Sequence, residues 1–215
     1  MSPTKFARES AMVARLFAVA RLPSTTIEDP MHVHGGETGA DVQVRIADRL
    51  VGVQVPEYCA DEGVANPGRG LRKTEKRNAR QGQFPPVAIP LQHQLAALRA
   101  RVSDKIEKAR RYTFLQFDEV WLLVSASLAD PEAIVSTSLI PLLLTPEGLN
   151  NCLEDEMLRR SKYAKAFIHI QVGDTVYRWT RESGWQLIHS TARPQPTGGD
   201  LWFKSLLPPF PPQRG

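Results

Sequence analysis

Asp41 and Gln54 have side chains of a type and spacing that could do chemistry together. They lie in the stretch Asp41-Val-Gln-Val-Arg-Ile-Ala-Asp-Arg-Leu-Val-Gly-Val-Gln-Val-Pro-Glu-Tyr58. Val42, Val44 and Ile46 alternate with polar residues, and so do Val51, Val53 and Val55, which predicts two short strands turning back on each other. If both apolar sets face one core, the register is constrained, because a slip of one residue flips a whole strand. That register pairs Val42 with Val53 and Val44 with Val51, or is shifted from this by an even step. The simplest case sets Asp41 across from Gln54, with Cβ atoms about 5 Å apart. A carboxylate and a carboxamide oxygen so placed can share one divalent metal ion. Ala47-Asp48 is a poor hairpin dipeptide, so a looser four-residue turn is expected.

The elements that must hold this pair can be read along the chain. Residues 4 to 21 predict a helix with an apolar stripe of Phe6, Met12, Val13, Leu16, Phe17 and Ala20, ended by Pro23. Residues 23 to 40 read as loop, with a short strand at Met31 to His34. After the hairpin, Ala60 to Pro86 has little apolar periodicity and is rich in Gly, Arg and Lys, which suits a lid, a basic arm or a partly disordered stretch. Leu91, Leu95, Leu98, Val102, Ile106 and Ala109 predict a long helix from about Ile89 to Arg111. Asp118 to Ser125 is a compact apolar run that suits a buried strand. A short helix is expected at Pro131 to Thr137. A second, with Thr145 at its cap and Pro146 in its first turn, should reach about Arg160. Strands follow at Ala166 to Val172, Thr175 to Thr180 and Trp185 to His189. The order predicts an α/β fold, a mixed sheet with helices on its faces, in one domain over 1–205 with a Pro-rich tail over 206–215.

The 215 residues are 42% hydrophobic and 23% charged, ordinary for a globular protein. No apolar stretch is long enough for a membrane span, and charges within the first 22 residues break any signal-peptide core, so a cytoplasmic protein is expected. Cys59 and Cys152 suit reduced thiols better than a disulfide framework. The excess of 27 Lys and Arg over 23 Asp and Glu leaves a net charge of +4, which permits nucleic-acid contact without requiring it.

The element order and the hairpin residues together resemble the PD-(D/E)xK nuclease superfamily. Asp41 stands where its first Asp would be, and Gly52-Val-Gln-Val-Pro56 where Gly-Ile-Glu-Val-x is typical. Glu9 is the candidate acid on the first helix, with Glu37 as second choice. Asp118-Glu-Val-Trp-Leu-Leu-Val124 resembles the strand after the second core helix. The resemblance implies a restriction-endonuclease-like core of helix, meander, helix and strand, with C-terminal α/β additions. It implies metal-dependent phosphodiester hydrolysis at Glu9, Asp41 and Gln54, with Asp41 and Gln54 as ligands of Mg²⁺ or Mn²⁺. It also implies phosphate contacts from Arg72, Lys73, Lys76, Arg77 and Arg80.

Two positions depart from the pattern. Gln54 replaces the usual Glu, as in Mrr-type members; its carbonyl can ligate a metal but brings one negative charge fewer. Pro56 occupies the position of the catalytic Lys. Some members move that role to a nearby helix, for which Lys73, Lys76 and Lys105 are the near candidates. A catalytically inactive nuclease-fold module that binds nucleic acid or a protein partner is therefore the alternative. Simpler readings stand beside these: Asp41 and Gln54 as polar strand residues, Glu9 as a solvated helix residue, the Arg69 to Arg80 run as a solvated surface. His32 and His34 would share a face of their strand and, with Glu37, could hold zinc. Cys59 reads as a buried thiol. His93, His169 and His189 read as structural, and Trp121, Trp179, Trp185 and Trp202 as packing residues.

Overall fold

Met12, Val13, Leu16 and Phe17 recur at helical spacing and are all buried. They form the inner stripe of α1 (Pro3–Val19), which has Pro3 as its first residue. The helix closes before Pro23. Arg21 takes φ +52°, Leu22 N–H donates to Phe17 O at 2.9 Å and Arg21 N–H to Ala18 O at 3.4 Å. This is a Schellman closure with Arg in the seat glycine usually takes. The computed structural model describes residues 3–23, 26–35, 38–56, 58, 91–126, 145–153, 155–170 and 174–191.

The next elements are β1 (Thr26–Glu28) and α2 (Pro30–His34). Met31 to His34 is thus helical and not a strand. Asp29 caps the turn by accepting from Met31 N–H, Pro30 starts it, and Gly35 ends it at φ +68°. His32 and His34, two residues apart on a helix, do not share a face.

The hairpin forms as β2 (Val42–Ile46) and β3 (Arg49–Gln54), with Val42 opposite Val53 and Val44 opposite Val51. Its turn is tighter than expected. Ile46 pairs with Arg49, leaving only Ala47 and Asp48 between them. Ala47 accepts φ +52°, strain that the paired strands on either side impose. Gly52 lies opposite Gln43, and a Cβ there would meet the Phe117 ring at 2.7 Å, so only glycine lets that ring lie on the strand.

The later elements are α3 (Leu91–Ala109), β4 (Glu119–Ala126), α4 (Pro146–Cys152), α5 (Asp155–Arg159), β5 (Lys165–Ile170), β6 (Thr175–Thr180) and β7 (Gly184–His189). The expected helix from Thr145 to Arg160 is two helices. Leu149, Leu153 and Leu158 are all fully buried. In one straight helix Leu149 and Leu158 would point about 180° apart, so a break at Leu153 is what buries both. Cys152 is an unbridged, half-buried thiol. The short helix expected at Pro131 to Thr137, Cys59, Trp202 and the tail lie outside the described residues.

The seven strands among the described residues form one mixed sheet in sequential order. β1, β2 and β3 are an antiparallel meander; β3, β4 and β5 run parallel; β6 and β7 return antiparallel. α1 covers one face, packing on Val42, Val44, Val51, Val53, Trp121, Leu123, Phe167 and Val176. On the other face α3, α4 and α5 pack on Val120, Leu122, Val124, Ala166 and Ile168. β4 is buried on both sides, which explains its unbroken apolar run. Trp121, Trp179 and Trp185 are core residues. No described helix is long and apolar enough to cross a membrane.

Candidate functional site

Asp41 sits one residue before β2, at the sheet end where β3 finishes. Its N–H donates to Val53 O at 3.0 Å, and its Oδ2 accepts from Val55 N–H at 2.9 Å. The carboxylate is therefore fixed to the backbone of the neighbouring strand. Two ammonium groups reach it from opposite faces of the sheet. Lys5 of α1 lies 3.2 Å from Oδ1 and Lys105 of α3 lies 3.9 Å from Oδ2.

Glu9 completes the centre from α1. One helical turn after Lys5, it shares the ammonium, with Oε1 at 3.4 Å. Glu9 is 3% exposed, and its Oε2 is buried with no hydrogen-bond partner among the described residues. Burial and then the Asp41 charge push its carboxyl up to about 7, against the opposing pull of Lys5 and Lys105. For Lys5, burial acts downward, but the Asp41 charge and hydrogen bond, with those of Glu9, outweigh it and hold the ammonium above the ordinary lysine value. Lys105 is held below that value, chiefly by burial. Asp41 opposes this, whereas Arg101, Lys5 and Lys108 add to it.

Gln54 occupies the α3 side of the same sheet end. It is buried, its Nε2 donates to Gly39 O, and its Oε1 accepts from the Tyr163 hydroxyl. Tyr163 is fully buried, and its hydroxyl also lies 3.3 Å from Lys105 O. Burial, then the Asp41 and Asp104 charges, raise its phenol above the ordinary value, so it stays a neutral donor. Asp41 and Gln54 both lead to Lys105, one through its ammonium and the other through Tyr163. Pro56 takes no part: its carbonyl accepts from Ser125 N–H and simply extends the pairing of β3 with β4.

The structure thus brings together Glu9, Asp41, Gln54 and Lys105. Sequence reasoning had no role for Lys5, although its position four residues before Glu9 was a usable signal. It missed Tyr163 entirely, 109 residues from Gln54. Arg72, Lys73, Lys76, Arg77, Arg80 and Glu37 lie outside the described residues. The zinc reading loses its geometry: His34 Nε2 is 2.9 Å from Gln43 Oε1, Gln43 donates on to Glu28 at 2.7 Å, and His32 sits elsewhere on α2. Among the described residues, no group of three or more His, Cys, Asp or Glu side chains is arranged to hold a metal.

The two carboxylates that could offer oxygens to a divalent ion here are Glu9 and Asp41, which meet at the Lys5 ammonium. The unpartnered Glu9 Oε2 and the ammonium already bridging the pair fit a hard cation that prefers oxygen ligands and retains water. The Gln54 carbonyl, engaged by Tyr163, fits a positioning part better than a ligand's. An open groove of about 510 Å³ lies at the opposite sheet end, beside Phe117, Glu119, Lys162 and Lys165. There Lys165 is paired with Glu119 at 3.8 Å and sits on the Trp121 ring at 4.6 Å. Comparisons with protein-family models, curated proteins and solved structures return no match for this chain.

Proposed function

We propose that this protein acts on nucleic acid with a restriction-endonuclease-like core of the PD-(D/E)xK type, by metal-dependent phosphodiester hydrolysis. The observation that carries the reading is the meeting of Glu9, Asp41 and Lys105, from α1, the start of β2 and α3, at one end of the sheet. The order of α1, an antiparallel three-strand meander, α3 and β4 agrees with it. Lys105 supplies from a helix the positive charge that Pro56 cannot.

In this reading Glu9 and Asp41 would hold Mg²⁺ or Mn²⁺, which would supply Lewis-acid activation of water and of the phosphate. Val55 N–H keeps Asp41 in place. Lys105 faces the scissile phosphate and offsets the charge that accumulates on it. Tyr163 fixes Gln54, and Gln54 in turn ties the loop at Gly39 that leads into Asp41. Arg101 and Lys108, close enough to Lys105 to depress its proton affinity, extend the positive field along α3, where a phosphate backbone would run. Arg72, Lys73, Lys76, Arg77 and Arg80 follow β3 in sequence and are proposed as further phosphate contacts.

A second reading has an observation of its own. The Gln54 oxygen is occupied by Tyr163 and Lys5 sits between the carboxylates, which favours an inactive nuclease-fold module that binds nucleic acid or a protein partner without cutting. Incubation of DNA and RNA with the protein and Mn²⁺ separates the two. Cleavage lost in Asp41→Asn supports hydrolysis here; cleavage that persists in Asp41→Asn overturns the site, and binding without cleavage selects the second reading.

A further inference from the structure

Lys5 places its ammonium between the Glu9 and Asp41 carboxylates. Its spacing from Glu9 puts both side chains on one face of α1, one turn apart. Its ammonium lies 3.4 Å from Glu9 Oε1 and 3.2 Å from Asp41 Oδ1, the one cation in contact with both carboxylates among the described residues. Lys105 contacts only Asp41, at 3.9 Å.

The anions are enclosed and this cation is half-exposed. The Glu9 and Asp41 side chains are 5% and 15% exposed, whereas that of Lys5 is 47% exposed. Asp41 is pinned by Val55 N–H, and Glu9 is enclosed against the sheet. A four-carbon stem open to solvent on that scale can carry its ammonium out of the centre without disturbing the core. The match is also incomplete, because the ammonium leaves Glu9 Oε2 buried without a donor. A doubly charged ion with several coordination positions satisfies what one ammonium leaves over.

We propose that Lys5 is a tethered counter-ion of the Glu9–Asp41 centre, which a divalent cation displaces, so that metal occupancy is gated by release of this side chain. The proposal rests on the reading of Glu9 and Asp41 as a cation site. Without an ion, Lys5 neutralises the carboxylates and holds α1 against the start of β2. With one, Lys5 moves to solvent at the rim of the centre, on the side from which a phosphate would approach. Displacing a half-exposed ion pair of this kind weakens ion binding by about three- to tenfold.

The test is a Mn²⁺ titration of the full chain, read from the electron paramagnetic resonance signal of unbound Mn²⁺. It compares the unaltered protein with Lys5→Met, Lys5→Arg and the double variant Lys5→Met/Asp41→Asn, each checked for an unchanged circular dichroism spectrum. The expected result is binding about three- to tenfold tighter in Lys5→Met, affinity near the original in Lys5→Arg, and loss of the site in the double variant. Equal or weaker binding in Lys5→Met, with loss in the double variant, overturns the counter-ion role and leaves the cation site standing. Absence of saturable binding in Lys5→Met overturns both.

Discussion

Glu9→Gln should make the protein more stable at alkaline pH and leave it unchanged at acid pH. Glu9 is buried beside Asp41, and its carboxyl is raised from the ordinary value of 4.5 to about 7. The folded chain therefore holds this proton more tightly than the unfolded chain does. Stability from this group is fully present below about pH 4.5 and is lost as pH rises through 7. At about 1.4 kcal/mol per pH unit, the ionised side chain costs the fold about 3 kcal/mol at pH 8. Glutamine has the same shape and no charge to desolvate, so it removes that cost. Urea denaturation at pH 5 and pH 8 measures the effect. The variant should gain little at pH 5 and up to about 3 kcal/mol at pH 8, a midpoint shift of about 1 to 2 M for a typical urea dependence. Parallel pH profiles for the two proteins would refute the argument, because they would mean that Glu9 is no more strained in the fold than in the unfolded chain. A residue whose removal stabilises the fold is explained most simply by use. The same variant should bind Mn²⁺ more weakly if the carboxylate pair is a cation site.

Other outcomes follow from the same geometry. Lys105→Met, which keeps the buried stem, should lower the rate of any phosphodiester cleavage by about a hundredfold while sparing stability; an unchanged rate constant would remove Lys105 from the chemistry. Tyr163→Phe strips the donor from the buried Gln54 oxygen and should cost about 1 to 3 kcal/mol in chemical denaturation; a change near zero would mean that the Gln54 tie to Tyr163 bears no load. His169 is fully buried, and burial holds it below the ordinary histidine value of 6.5, against the pull of Asp174, while Arg15 and His189 add to the depression. Its contribution to stability is present above that value and falls away as pH drops below it, so melting temperature should decline between pH 6.5 and 5 more steeply than in His169→Gln. Equal slopes would dismiss the effect.

Legibility followed distance along the chain. Alternation at period two put Val42, Val44, Val51 and Val53 on one face and left the register open only to even steps, from which the structure takes Val42–Val53 and Val44–Val51. The stripes of α1 and α3 were readable for the same reason at helical period. Where two local signals competed, the reading went astray. Ala47-Asp48 argued against a tight turn, yet strand pairing forced one. Alternating polarity suggested a strand at Met31 to His34, yet Asp29 and Pro30 started a helix. The break at Leu153 had no punctuating residue, because it serves burial of Leu149 and Leu158 in the core.

The sequence by itself determined an α/β sheet protein with Asp41 facing the end of β3, since these features depend on short-range periodicity and on the chemistry of single turns. Only the tertiary structure decided that Glu9 and Asp41 share the Lys5 ammonium, that Lys105 reaches Asp41 from α3, and that Tyr163 closes on Gln54. Those meetings come from elements tens of residues apart, joined by how two helical layers pack across one sheet, and no local pattern encodes where such layers come to rest.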